Sequence, residues 1–123
     1  MQFKDLITYK KSFALAMKIF NISKSFPKEE KYSLTDQIRR SSRSVSANIA
    51  EAYRKRKYPK NFISKLTDSD AENSETQTWL EFAFECKYIK KVHFNEFIKE
   101  SKEVGKLINY MMNNPVKYGC DQN

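Results

Sequence analysis

Apolar residues recur three and four positions apart along most of this chain, which is the spacing of one face of an α-helix. The first such segment runs from about Thr8 to Lys24. It ends at Phe26-Pro27, because the residue before a proline avoids the helical region. Its predicted inward stripe consists of Leu6, Tyr9, Phe13, Ala16 and Phe20, widened by Met17 and Ile22.

A second helix is predicted after a short connection, with Ser33 or Thr35 as its N-terminal cap. We expect it to fade near Tyr58, just before a proline. Ser41 and Ser42 stand where larger residues would be expected, and such small residues allow a neighbouring helix to approach closely. The predicted buried face comprises Leu34, Ile38, Val45, Ile49 and Ala52.

Two further helices follow. The third opens at Pro59, a residue that the first helical turn tolerates, and we expect it to end around Lys87. The fourth runs from about Phe94 to Asn113, where Asn114-Pro115 stops it. The inward stripe of the third helix is predicted to be Phe62, Leu66, Ser69, Asn73, Gln77, Leu80 and Phe84, and that of the fourth Phe94, Phe97, Ile98, Val104, Leu107, Ile108 and Met111.

Four helices with short connections predict an all-α fold, an antiparallel up-down-up-down four-helix bundle. The chain has 123 residues, the size of one domain, and residues from about 115 to 123 are expected to form a loose tail. Only two residues are Gly and three are Pro. All-β and nucleotide-binding folds need glycine in their tight turns, so this composition excludes them.

The two cysteines are far apart and belong to no paired motif. We expect Cys86 to be a buried, small apolar residue and Cys120 to be a free thiol in the tail. This pattern fits a reducing cytoplasm, and the residues from Met1 to Lys10 do not resemble a signal peptide. No stretch approaches the length of a membrane span, so no membrane partner is expected.

Positive charge is concentrated in one segment. The net charge is +8, and residues 39–60 hold eight basic residues against one acid, Glu51, a balance of +7. The rest of the chain holds 15 basic and 14 acidic residues. The eight are Arg39, Arg40, Arg43, Arg54, Lys55, Arg56, Lys57 and Lys60.

This basic segment predicts a nucleic-acid interface, because such a cluster can neutralise several phosphates and arginine grips phosphate through two parallel hydrogen bonds. Tyr53 and Tyr58 lie beside it and are candidates for stacking on unpaired bases of RNA or DNA. The alternative is architectural: the arginines pair with acids of the third helix, within or between subunits, or dock an acidic protein. The acids concerned are Asp68, Asp70, Glu72 and Glu75.

No catalytic constellation is evident. His93 is the only histidine, and a histidine-containing catalytic or metal site would need partners at a suitable spacing. No glycine-rich phosphate loop is present. The sequence therefore predicts a protein that is not an enzyme and that uses no metal and no cofactor.

Several motifs together resemble a known family. They are Phe26-Pro27, Gln37-Ile38-Arg39-Arg40, Ser44-Val45 and Asn48-Ile49-Ala50-Glu51, with Phe3, Leu6, Phe62, Leu66, Glu75, Leu80 and Tyr88-Ile89 around them. The chain resembles, over most of its length, the small four-helix-bundle proteins encoded in intervening sequences of bacterial 23S ribosomal RNA genes. The resemblance implies an antiparallel bundle that assembles into a closed homopentamer. It extends to basic pentameric accessory proteins of diversity-generating retroelements, which bind nucleic acid and a reverse transcriptase.

Overall fold

The four predicted helices are confirmed by the structure, a computed structural model that describes residues 1–121. They are α1 (Ile7–Ser23), α2 (Leu34–Arg54), α3 (Pro59–Glu85) and α4 (Lys91–Asn113). Residues 1–121 contain no strand. Helix α2 ends four residues earlier than expected, at Arg54, because residues 55–57 form a tight turn before Pro59 opens α3.

Hydrogen bonds between the helices establish an antiparallel up-down-up-down order. Ser12, near the start of α1, is hydrogen-bonded to Ser46 at 2.9 Å, and Ser23, at the end of α1, is hydrogen-bonded to Arg39 at 2.8 Å. Because the partner's number falls as the number on α1 rises, α2 runs antiparallel to α1. The other neighbouring helices are related in the same way. Between α2 and α3, the pairs are Ser69 with Val45 and Thr76 with Ser41. Between α3 and α4, they are Asn73 with Ser101 and Thr67 with Met112. Between α1 and α4, they are Lys11 with Glu103 and Lys18 with Glu100.

The interior consists of two apolar clusters with a polar layer between them. One cluster centres on Ile49, Phe62 and Ile108, and the other on Ile19, Ile38 and Leu80. The polar layer lies at the middle of the four helices, where small hydroxyl and amide side chains satisfy one another by hydrogen bonds. Its buried members are Ser12, Ser41, Ser42, Ser46, Ser69, Asn73, Thr76 and Ser101.

The inward face of α1 is rotated by about a third of a turn from the predicted one, although Leu6 and Ala16 are buried as predicted. The buried residues of α1 are Thr8, Ser12, Leu15, Ala16, Ile19 and Ser23. Phe13 and Met17 remain 50% and 45% exposed. The small Ser12 faces Ser46 of α2 at 2.9 Å, a separation that a phenylalanine could not match, so Phe13 is turned outward.

The predicted faces of the other helices need smaller changes. On α2 all five predicted apolar residues are buried, together with Ser41 and Ser42. On α3 the buried face drifts at its C-terminal half, so that Thr76 and Ala83 are buried while Gln77 and Phe84 are only partly covered. On α4 the fully buried residues are Phe97, Ser101, Val104, Ile108 and Met111.

The end of the chain is ordered over the residues that the structure describes, which corrects the expected loose tail for positions 115–121. Pro115–Tyr118 form a 3-10 turn, and Gly119 follows with a φ of 91°, a left-handed conformation that glycine adopts without strain. Residues 122 and 123 lie outside the described range. Cys120 is a free thiol, as predicted, but it is buried in the first apolar cluster instead of lying in a loose tail.

The expectation for Cys86 is also wrong, because its side chain is exposed. It lies one residue beyond the end of α3, where the chain turns toward α4.

Candidate nucleic-acid interface

Glu30 holds the turn that leads into α2. Its carboxylate accepts hydrogen bonds from the hydroxyls of Ser33, at 2.6 Å, and Tyr88, at 2.8 Å, and from the Leu34 backbone amide at 3.3 Å. These bonds, the one from Ser33 foremost, lower the pKa of Glu30. Glu30 therefore provides a hydrogen-bond acceptor for the first free backbone amide of α2. The predicted capping by the hydroxyl of Ser33 or Thr35 is not found, because Ser33 precedes α2 but its side chain makes no capping hydrogen bond.

Arg39 is committed to the end of α1. Its Nε donates to Ser23 Oγ at 2.8 Å and a terminal nitrogen donates to the Phe20 carbonyl at 3.4 Å. The guanidinium carbon lies 4.7 Å from the centre of the Phe20 ring. Because carbonyls in the last turn of a helix lack intrahelical donors, this arginine stabilises α1 and is only partly available to a ligand.

Arg40 pairs with acids of α3, as the architectural alternative predicts. One nitrogen lies 2.8 Å from a carboxylate oxygen of Glu75, and another lies 3.5 Å from Glu72. The second contact is long, and that Glu72 oxygen is buried without a hydrogen-bond partner, so the attraction there is electrostatic. Of the four predicted acids, Asp68 pairs with Lys65 instead.

Arg43 stays exposed on the outer face of α2, with its guanidinium carbon 5.5 Å from the Phe20 ring. A groove of about 550 Å³ runs along α2 beside it. Within residues 1–121, Arg43 makes no ion pair with a carboxylate.

The turn after α2 and the two helix ends beside it carry three exposed cations, Arg54, Lys57 and Lys60, which we call the turn cations. In the described part of the chain none of them forms an ion pair. Tyr58 lies among them and is 58% exposed, as an aromatic residue that stacks on bases must be. Lys57 places its ammonium 6.0 Å from the Tyr58 ring.

The remaining members of the basic segment have structural partners. Lys55 pairs with Glu51 at 3.3 Å. Arg56 donates to the carbonyls of Tyr53, at 2.7 Å, and Tyr118, at 3.1 Å, and thereby ties the end of the chain to the α2–α3 turn. Hydrogen bonds from Lys55 and then Lys65 lower the pKa of Glu51, so that this acid stays ionised and offsets part of the charge.

The expectation that Tyr53 stacks on bases is corrected. Tyr53 is only 5% exposed, and its ring packs in the first apolar cluster with the Arg56 guanidinium carbon 3.6 Å from its centre. Burial at the C-terminal end of α2 leaves no face of this ring open to a base.

One basic segment of the sequence is therefore two clusters in space. Arg43 and Arg54 are eleven residues apart on one helix, which separates them by about 16 Å along its axis. Each cluster keeps exposed cations, and between them α2 presents small side chains such as Ala47.

Lys31 and Tyr32 were missed by the analysis of the sequence. They precede α2 and line the same groove as Arg43. Tyr32 is 85% exposed, with the Lys31 ammonium 5.3 Å from the centre of its ring. The available signal was a basic residue next to an aromatic one in a polar turn, about two helical turns before Arg39.

Within residues 1–121 no three side chains among His, Cys, Asp and Glu gather as metal ligands would. The helices in the same range include none with the length and apolar character needed to cross a bilayer.

Comparison with known proteins agrees with the resemblance drawn from the motifs. The family model described as 23S rRNA-intervening sequence protein matches residues 4–110. A solved structure of a protein of unknown function, from the S23 ribosomal protein family of Bacteroides thetaiotaomicron VPI-5482, is similar at 31% identity with a TM-score of 0.79. The match covers 87% of this chain and 96% of that chain. No curated protein matches the sequence.

Proposed function

The chain belongs to the family of 23S rRNA-intervening sequence proteins, and from this premise we propose that it is a non-enzymatic, oligomeric helical bundle that binds RNA or DNA. The interface is the outer face of α2 with the turn that follows it. His93, the only histidine, lies exposed in the first turn of α4, with its ring 6.2 Å from that of Phe97. The proposal assigns it no catalytic role.

The observation that carries the proposal is a set of exposed cations without ion-pair partners in the described residues: Arg43 and the turn cations. Each such cation releases a counterion from nucleic acid when it neutralises a phosphate, and this entropy gain drives binding. Cations already paired with carboxylates release little, so Arg40 and Lys55 contribute less.

Self-association is the second part of the proposal. Tyr9, Phe13 and Met17 form an apolar stripe on the outer face of α1, with Phe13 and Met17 about half exposed. Contiguous exposed apolar surface of this kind marks interaction sites. A head-to-tail contact that closes makes a ring, and a homopentamer, as the family resemblance implies, would bring five copies of the basic face together. A solution mass five times the 14.6 kDa of the chain is expected in light scattering.

The test compares two triple variants of equal charge change. The first, Arg54→Glu, Lys57→Glu and Lys60→Glu, reverses the turn cations. The control reverses three exposed lysines on the outer face of α4, namely Lys99, Lys102 and Lys106.

Binding to a structured RNA is followed by fluorescence anisotropy from about 50 to about 200 mM salt. The turn variant should bind at least about tenfold more weakly, and the slope of log affinity against log salt should become shallower by about two to three, one unit for each lost phosphate contact. The control should keep most of the affinity and slope. Equal losses in both variants would mean that only net charge matters, and no loss in either would contradict the proposed interface.

The alternative function is a structural or adaptor protein whose basic face mediates assembly or docks an acidic protein. The pairing of Arg40 with Glu75 favours it, because this arginine already uses its charge on protein carboxylates. The same turn variant separates the two functions. If it dissociates the oligomer while RNA affinity is unchanged, the adaptor function is correct and nucleic-acid binding is not.

A further inference from the structure

We propose that the groove along α2 holds an extended single strand of RNA or DNA, with an unpaired base stacked on Tyr32 and phosphates on Lys31 and Arg43. This inference rests on the proposed function and names the ligand class of its α2 half. It assigns a binding role to Lys31 and Tyr32, which lie outside the basic segment of the sequence.

The shape of the groove follows from where the long side chains go. Arg39 and Arg43 lie toward α1, with their guanidinium groups over the Phe20 ring, while Arg40 lies toward α3 and its acids. The strip of α2 between them carries Asp36 and the small side chain of Ala47. A trough of about 550 Å³ remains, within the range of volumes that ligand sites occupy.

The trough is long enough for a few nucleotides. From Thr35 to Ala47 the helix rises about 18 Å. Phosphates of an extended strand lie about twice as far apart as the 3.4 Å of a stacked one, so about two or three nucleotides would fit along it.

Tyr32 supplies the stacking surface. It is 85% exposed, which is unusual for a ring of this size, and it stands at the end of the trough where α2 begins. The turn that carries it is fixed by hydrogen bonds from Ser33 and Tyr88 to Glu30, so little conformational freedom is lost when a base binds. Stacking of a base on an aromatic ring tolerates any base, because every base has a π-face.

The charges around the trough favour a backbone of phosphates. Lys31 and Arg43 are exposed, and Asp36 is the single acid among the residues that line the groove. Asp36 can accept hydrogen bonds from the exocyclic amino groups of a base, while the cations hold phosphates on either side of it.

A single strand fits this arrangement better than a duplex does. The bases of a duplex are stacked on each other and cannot lie flat on Tyr32 without leaving the helix. Unpaired bases are free to splay out and stack on aromatic side chains, which is how most sequence-tolerant single-strand sites work.

The experiment measures the affinity of the full chain for three labelled probes of similar length: an oligocytidine of about ten nucleotides, the matching oligodeoxycytidine, and a double-stranded RNA. Tyr32→Ala should weaken single-strand binding between about fivefold and about 150-fold, and Tyr32→Phe should restore it. Duplex affinity should change by less than about twofold in both variants. Comparing the oligocytidine with the oligodeoxycytidine, which carry the same base, tells whether RNA or DNA is preferred.

Matched controls separate stacking and charge from general effects. Tyr110→Ala removes another half-exposed ring, on α4, and should leave all affinities near those of the unaltered chain. Arg43→Glu should weaken single-strand binding more than Lys102→Glu, which makes the same charge change on α4.

Three results would overturn the inference. If Tyr32→Ala binds the single strands like the unaltered chain while reversal of the turn cations still abolishes RNA binding, the groove is not the site, although the proposed function stands. If Tyr32→Ala weakens duplex binding as much as single-strand binding, the assignment to an unpaired base is wrong. If the unaltered chain binds none of the probes and no structured RNA, the inference fails together with the proposed function.

Discussion

We expect the contact between Asn73 and Ser101 in the polar layer to contribute a coupling energy to the stability of the bundle, in addition to what each residue contributes separately. The Asn73 amide nitrogen donates to the Ser101 carbonyl at 2.9 Å, and Asn73 Oδ1 accepts from the Ser101 hydroxyl at 2.9 Å. Both residues are buried, and Gln77 also donates to the Ser101 hydroxyl. The two helices are therefore joined by a reciprocal pair of hydrogen bonds in a region that water does not reach.

Asn73→Ala removes two hydrogen bonds worth about 1 kcal/mol each and leaves the Ser101 hydroxyl without its acceptor. With the void left by the amide, the free energy of unfolding should fall by about 2–4 kcal/mol. Ser101→Ala should cost about 1–3 kcal/mol, because Asn73 Oδ1 is then buried without a donor. The double variant should cost about 1–2 kcal/mol less than the sum, since it leaves neither partner unsatisfied.

Urea unfolding followed by far-UV circular dichroism measures all four proteins, at one fixed protein concentration because association also contributes to stability. Ser74→Ala, an exposed change on the same helix next to Asn73, serves as the control and should stay within about 0.5 kcal/mol of the unaltered chain. A coupling energy below about 0.3 kcal/mol would refute the reasoning, because independent sites simply add.

Three further outcomes are expected. Cys86, which is exposed, should react with a maleimide within minutes in the native protein, while Cys120 should react only slowly, because burial protects it and raises the pKa of its thiol. Arg56→Ala should accelerate labelling of Cys120 and leave that of Cys86 unchanged, since Arg56 holds the end of the chain in place; equal rates for Cys120 in both proteins would contradict this. Tyr88→Phe should lower stability at neutral pH, because the Tyr88 hydroxyl donates to Glu30, a bond that raises the pKa of Tyr88 to about 12 and helps to lower that of Glu30. The stabilisation by this bond is complete from about pH 5 to about pH 10. It is lost at lower pH because Glu30 becomes protonated, and at higher pH because Tyr88 ionises. If Tyr88→Phe lowers the free energy of unfolding by the same amount at all pH values, this explanation is refuted.

The number and order of the helices could be predicted, because proline positions and apolar spacing are local properties. The inward face of α1 could not. This helix carries large apolar residues on two sides, Leu15 and Ile19 on one and Phe13 and Met17 on the other, and periodicity alone does not choose between them. The choice depends on α2, whose Ser46 at the crossing admits only a small partner.

The candidate site was only partly predictable for a related reason. Counting charges along the sequence treats Arg39, Arg43 and Arg56 alike, whereas the structure uses two of them as hydrogen-bond donors to backbone carbonyls. Whether an arginine meets a carbonyl, a carboxylate or water depends on contacts between distant parts of the chain. The same limit applies to Tyr53 and Tyr58, of which one is buried and the other exposed.

The return of the final turn to the bundle end has a practical consequence for anyone who attaches a reporter to this protein. Tyr118 hydrogen-bonds through its carbonyl to Arg56, which is flanked by the turn cations, so a fluorophore or affinity tag attached at Asp121, three residues further along the chain, lies close to them. An acidic tag there would compete for the very cations that a binding assay is meant to measure. A tag placed before Met1 is no remedy either, since the Met1 carbonyl lies 3.4 Å from the Tyr53 hydroxyl at the same end. A label on the exposed thiol of Cys86, next to the end of α3 that is remote from this turn, avoids the turn cations. It would lie beside Tyr32 instead, because Cys86 and Tyr32 line the same pocket, so it suits an assay of the turn cations and not one of the groove.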